Sequence, residues 1–167
     1  LIRFGQSYGD TETAFANAPH VFQERFIQHR GAAHPIEGRG AVARYDALDD
    51  AITLWSSTQM SHEVRASIVR LFGIDEGRIR VVSPDVGGGF GYKCVLLPEE
   101  IFIPWVAMQV KRPVRWIQDR REHLIAAANA REHHYSVTLH ANPDGSFIGI
   151  EADIIVDSGA YSVYPHS

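Results

Sequence analysis

Ile79-Arg80-Val81-Val82-Ser83-Pro84-Asp85-Val86-Gly87-Gly88-Gly89-Phe90-Gly91-Tyr92-Lys93 joins a β-rich run to a glycine cluster, and a helical pattern follows. Four glycines occupy the five positions from 87 to 91. Lacking Cβ atoms, they let the backbone take positive φ and come into contact with a ligand. Successive N–H groups at a helix entrance also make a nest for an anion or an oxo group. The alternative is a tight strand-to-helix turn with no ligand. Two phosphate templates fail here. A P-loop closes with Gly-Lys-Ser/Thr, whereas Lys93 stands between Tyr92 and Cys94. The dinucleotide fingerprint G-x-G-x-x-G requires a glycine where Tyr92 stands. Phe90, set among the glycines, is foreign to phosphate chemistry and reads as a spacer or wall for a large flat ligand.

Outward from the loop, residues 61–72 carry the clearest helical pattern. Ser61 stands at the N-cap position, Glu63 and Arg70 suit the helix dipole, and Val64, Ile68, Leu71 and Phe72 share a face. Gly73 is placed to end the helix in the left-handed conformation. A second helix is expected over much of 94–110, before the Lys111-Arg112-Pro113 turn. Strands are expected at Ala41–Tyr45, Ile52–Ser56, Ile79–Val82 and Val114–Gln118. His134–Ala141 and Phe147–Val156 form a hairpin around Asn142-Pro143-Asp144-Gly145. Residues 12–30 alternate loosely, with Val21, Phe22, Phe26 and Ile27 as expected buried positions. Interleaved helices and strands, with two main helices among mixed or antiparallel strands, make the fold class α+β.

Composition bounds the function classes. The 167 residues are 45% hydrophobic and 22% charged, as in one ordinary domain or two small ones. Sixteen basic against twenty acidic side chains give a net charge of −4, without the basic surface that nucleic acid requires. The longest hydrophobic stretch, Ile101–Val110, is broken by Pro104 and Gln109 and is far short of the ~20 residues of a membrane span. A lone Cys94 excludes an internal disulfide, a cysteine zinc site and an iron–sulfur cluster held by cysteines of this chain alone. The nine histidines lack metal-binding spacing: His29 and His34 are five apart, and His133 and His134 point to opposite faces of a strand. A protein-ligated metal site is not expected. The chain begins at Leu1 without a leader and stops at Tyr164-Pro165-His166-Ser167 without a cap, and it reads as a piece of a longer polypeptide.

The segment Val81–Lys93 resembles the molybdopterin-binding large subunit of the xanthine dehydrogenase, aldehyde oxidase and carbon monoxide dehydrogenase family. So do Leu54-Trp55-Ser56-Ser57-Thr58-Gln59, Pro35-Ile36-Glu37, Arg112-Pro113-Val114-Arg115-Trp116, Asp119-Arg120-Arg121-Glu122 and Asp157-Ser158-Gly159-Ala160-Tyr161. These short motifs follow one another in family order from about Gly9 to Tyr161. The resemblance makes the chain, 1–167, part of a larger molybdopterin-binding domain, with a possible internal boundary near the 83–93 glycine loop. It implies oxidation of an aldehyde or N-heterocycle with water as oxygen source, by a molybdenum held on a pterin, expected in its cytosine dinucleotide form. Iron–sulfur clusters and FAD on partner chains would take the electrons. The cofactor supplies the demanding chemistry, and protein supplies position and electrostatics.

By the same resemblance Gln59 approaches the molybdenum centre as a neutral amide donor, and Gly88, Gly89, Phe90 and Gly91 lie against the metal end of the cofactor. Phe90 is expected to offer its amide while its ring packs nearby. Cys94 stands where purine-oxidising relatives carry a glutamate, which argues against a hypoxanthine-like substrate; a packed thiol is the simpler reading. Arg131 falls near a substrate-orienting arginine of purine oxidisers, although its spacing to Tyr135 is shorter; a surface or interface arginine is the alternative reading. No catalytic residue is expected in this chain, because the family's glutamate base lies near the far end of the full subunit. Glu99, Glu100 and Glu122 read as exposed helical carboxylates. The expected partners are the iron–sulfur and FAD subunits and the rest of the large subunit, and the expected location is cytoplasmic, with the periplasm left open. The isolated piece is expected to be inactive. A non-catalytic module that docks a partner subunit is the alternative reading.

Overall fold

A computed structural model describes residues 3–159. In chain order its elements are α1 (Thr11–Ala16), β1 (His20–Gln28), β2 (Gly40–Asp46), β3 (Ala51–Ser56), α2 (Ser61–Phe72), β4 (Ile79–Val82), α3 (Pro98–Val110), β5 (Val114–Ile117), α4 (Arg120–Ala126), β6 (Glu132–Ala141) and β7 (Phe147–Asp157). The α+β class holds, with α2 and α3 the two long helices. The chain divides into two compact units: one joins the residues up to Arg30 with Arg131–Ser158, and the other is built on Gly31–Ala130. The glycine loop lies inside the second. Ala160, Tyr161 and the 164–167 ending lie outside the described residues.

The first unit is an antiparallel sheet in the order β1-β6-β7. Its hairpin turns as the sequence requires: Gly145, at φ +85°, donates to Asn142 O, and Asn142 N donates to Ser146 O. Short α1 docks through Phe15, whose ring stacks on buried His140 at 4.0 Å. A side chain at Gly149 would close that slot, since a Cβ there would stand 2.5 Å from Phe15 Cε1. Directly opposed residues share a face, so Phe22, Leu139 and Ile150 line up across the strands, as do Phe26, Tyr135 and Ile154. Here the sequence expectation is corrected. Val21, Phe22, Phe26 and Ile27 are exposed, because no described element of this unit packs over them.

The second unit is a four-stranded sheet ordered β4-β3-β2-β5, with β3 and β4 parallel and the other pairs antiparallel. Parallel strands need a crossover, and α2 supplies it. The core joins Ala41, Ala43, Leu54 and Ile79 of the sheet to Val64 and Ile68 of α2 and to Ile103 and Ala107 of α3. Three alanines in that set leave room for a helix to lie close to the strands. Gly73 ends α2 at φ +65° as expected. Ser61 is the first helical residue rather than the cap: Met60 holds the cap position, and its N–H donates to Thr58 Oγ1. Leu71 faces outward while Val64 and Ile68 are fully buried. α3, Pro98–Val110, fills much of 94–110 as expected; proline suits its first helical turn, and the turns after Gly91 use the preceding residues.

We expect Ile68→Ala to lower the unfolding free energy by about 2–5 kcal/mol in urea titrations. Leu71→Ala, on the exposed side of the same helix, should cost less than about 1 kcal/mol.

Candidate functional site

The glycine loop leaves β4, runs through Gly87–Gly91 and is held at its exit by two turn bonds, Tyr92 N to Gly89 O and Cys94 N to Gly91 O. Gly88, Phe90 and Gly91 have φ of +97°, +54° and +86°. Positive φ is ordinary for glycine but unusual for a bulky aromatic. Its ring is 79% exposed. Among the described residues, the N–H groups of Gly88, Gly89, Phe90 and Gly91 donate no hydrogen bond. Four consecutive free donors, three of them on residues with positive φ, make an anion-receptive stretch of backbone.

Gln59 lies directly beside this stretch. A Cβ on Gly89 would collide with Gln59 Oε1 and stand 2.5 Å from its Cδ, so any side chain there would push the Gln59 carboxamide aside. The Gln59 backbone is anchored by its N–H donating to Lys93 O at 2.9 Å, and its exposed side-chain amide makes no hydrogen bond among the described residues. The structure thus gathers the five residues Gln59, Gly88, Gly89, Phe90 and Gly91 at one place. Cys94 is half-buried and packs against the core. Arg131 belongs to the other unit.

Beneath the loop lies a base that sequence reasoning did not assign. Glu37 Oε2 accepts from Lys93 Nζ at 2.7 Å, from Gly87 N at 2.8 Å and from Ser57 Oγ at 3.0 Å. Glu37 N in turn donates to Gly87 O. The Lys93 side chain has no exposed surface. Burial pushes the Glu37 carboxyl upward, but the Lys93 ammonium, the Gly87 amide and the Ser57 hydroxyl outweigh it and hold it below the ordinary value of 4.5.

The segment that presents Glu37 is itself fixed from both sides. Arg120, just inside α4, donates to Pro35 O and Ile36 O. His123 Nε2 lies 3.0 Å from Ala33 O, and burial keeps that imidazole below its ordinary value of 6.5. Arg39 pairs with Glu99 at 2.7 Å and sits over the rings of Tyr92 and Trp116. Gln118 accepts from Arg39 N and donates to Tyr92 Oη. The Pro35–Glu37, Asp119–Glu122 and Trp116 motifs therefore support the loop's exit residues. The only advance signal was their presence as short motifs in one order.

Two carboxylates depart from expectation. Glu100 is buried and accepts from Ser56 Oγ and Leu97 N, and Glu99 is largely covered beside Arg39. Burial raises both acids, with Arg39 pulling Glu99 back. They are structural acids under the helix N-terminus rather than exposed ones. Glu122 is exposed, as expected, and forms a capping box with Asp119.

Among the described residues, no three His, Cys, Asp or Glu side chains converge as metal ligands, and no helix is long and apolar enough to cross a membrane. The site's donors, backbone amides and a carboxamide, suit oxygen or anionic acceptors and not direct ligation of a metal.

A molybdopterin cofactor-binding domain matches residues 2–167. The chain is 42% identical over 166 residues to the large subunit of nicotine 6-hydroxylase from Paenarthrobacter nicotinovorans, covering 99% of this chain and 20% of that protein. It is 36% identical to the carbon monoxide dehydrogenase large chain of Hydrogenophaga pseudoflava, covering 90% of this chain and 19% of that one. Quinoline 2-oxidoreductase from Pseudomonas putida 86 shares the fold at a TM-score of 0.78 and 39% identity, over 92% of this chain and 20% of that structure. The chain thus spans about a fifth of the length of the proteins it matches.

The Glu37 carboxyl is depressed in the folded state, so its stabilisation is complete above the unfolded value near 4.5 and is lost as pH falls through the lower folded value. Unfolding titrations of the wild type and Glu37→Gln should therefore differ by a constant amount well above the ordinary value of 4.5 and converge as pH falls through the depressed folded value.

Proposed function

The chain belongs to the molybdopterin cofactor-binding domain family, and from that premise we propose that it forms part of the cofactor cradle in the large subunit of a molybdenum hydroxylase. The observation that carries the reading is the run of four free amides, Gly88–Gly91, beside the unbonded carboxamide of Gln59. The pterin-held molybdenum supplies the redox chemistry, and these residues supply neutral hydrogen-bond donors to oxygen at its metal end. Neutral donors fit the task because they stabilise charge there without titrating near neutral pH.

Within this proposal Gln59 donates from its side chain, and Gly88, Gly89, Phe90 and Gly91 donate from the backbone. Positive φ at Phe90 turns its amide into the same stretch while its ring stays exposed as a wall of the substrate side. Cys94 packs against the core and takes no part in substrate binding. Arg131 is the candidate cation for orienting substrate. The substrate is an aldehyde or N-heterocycle, hydroxylated with oxygen from water. Two relatives whose names carry an N-heterocyclic substrate, nicotine and quinoline, support the second class. The pterin is bound as its cytosine dinucleotide, and electrons leave to iron–sulfur and FAD chains in a cytoplasmic complex. The general base comes from a part of the large subunit other than this chain.

The test is metal analysis of the longest native polypeptide carrying this segment, purified with its partner chains. Molybdenum near one per large subunit is expected, and its absence would overturn the reading. Gln59→Ala should retain the fold and lower kcat for an N-heterocycle by about 10²-fold. Gly89→Ala should lose cofactor, because its Cβ displaces Gln59.

A further inference from the structure

We propose that Glu37 is a positioning residue whose single oxygen, Oε2, sets the spacing between the free amides of Gly88–Gly91 and the Gln59 carboxamide. The proposal rests on the reading of that loop as a molybdopterin contact. The loop's own turn bonds restrain only its exit. Its entrance is held by Ser83 Oγ, which donates to Thr58 O, and at the first glycine by Glu37, through Gly87 N to Oε2 and Glu37 N to Gly87 O. The same oxygen holds Lys93, two residues after the last loop glycine, and Ser57, two residues before Gln59. Lys93 O then receives the Gln59 amide. Entrance, exit and the Gln59 strand end are thereby referred to one atom.

The geometry separates this role from that of an ordinary stabilising ion pair. A pair that served only to satisfy buried Lys93 would have no need to catch a loop amide. Glu37 keeps 41% of its side chain exposed, placing the pair at the rim of the site and not in the core. Glu37 and the loop entrance pass close together: a Cβ on Gly87 would stand 2.6 Å from Glu37 Cβ. On the other side, Gly38 packs against the Gln118 backbone so closely that a Cβ would lie 2.9 Å from Gln118 O. Neutralising Glu37 keeps an acceptor for Gly87 and Ser57 but leaves a fully buried ammonium without its counter-charge, so the loop exit must move to rehydrate it.

The experiment uses the native complex as purified, comparing wild type with Glu37→Gln, Glu37→Asp, Ser57→Ala and the core variant Ile68→Ala. Molybdenum per polypeptide, the electron paramagnetic resonance signal of molybdenum(V) and thermal unfolding are measured for each. We expect Glu37→Gln to lower molybdenum content about tenfold and to shift the resonance of what remains. Glu37→Asp should recover part of that loss, and Ser57→Ala should lower loading about threefold. Ile68→Ala, although less stable, should keep wild-type loading and resonance. Unchanged loading and resonance in Glu37→Gln would overturn the proposal, as would loss of molybdenum in Ile68→Ala in proportion to its lost stability. Should Glu37→Gln fail to fold, Ser57→Ala decides in the same way: unchanged loading and resonance overturn the proposal. A wild type without molybdenum defeats the reading beneath it; a loaded wild type with unaffected variants defeats the positioning role alone.

Discussion

A lysine with no exposed surface has to meet a carboxylate, and that requirement organises the second unit. Lys93 follows the glycine loop by two residues, so the acid that satisfies it also lies under the loop. Glu37 meets it at 2.7 Å, and the same oxygen takes a loop amide and a serine hydroxyl. Leaving such a charge unpaired would cost several kcal/mol. The pair is therefore hard to break without moving the backbone on both sides of it. Gly87 and Gly89 lie hard against the side chains of Glu37 and Gln59, and Gly38 against the Gln118 backbone, around this contact.

The rest of the unit serves that contact at increasing distance. α4 presents Arg120 to the carbonyls of Pro35 and Ile36, fixing the chain just before Glu37. Arg39, just after it, pairs with Glu99 and covers Tyr92, the residue between the loop and Lys93. The alanine-lined sheet lets α3 come close, and α3 carries Glu99 and Glu100 into the space above Arg39 and Ser56. A hydrophobic core and a polar platform thus share the same two helices. The core sets where the helices lie, and the buried acids at the start of α3 use that position.

Most of this fold was legible before any coordinates. The alternation in β2, β3 and β6, the turn residues at 142–145 and the period of α2 each specify one element through local backbone preference. The boundary that slipped did so for a local reason as well: Met60, its N–H taken by Thr58 Oγ1, holds the cap position of α2 where Ser61 was expected. α1 and α4, of six and seven residues, are too short for periodicity to reveal. The apolar side chains of β1 were read as buried because alternation identifies a face, and whether anything covers that face is a separate matter.

The site divides along the same line. Sequence by itself determined the glycine cluster, the phenylalanine within it and the glutamine some thirty residues earlier, because residue type at those places limits which backbones and donors are possible. It also pointed to the molybdopterin-binding family, through several short motifs kept in one order. Only tertiary structure decided that Gln59 lies against Gly89, that four loop amides are left without partners, and that Glu37 and Lys93 meet across 56 residues of chain. It also decided that Glu99 and Glu100 are buried when helical spacing leaves their exposure open. The physical reason is that burial and pairing belong to the packed assembly: an isolated acid is as content in water as in an ion pair, and only the neighbours that exclude the water make the difference.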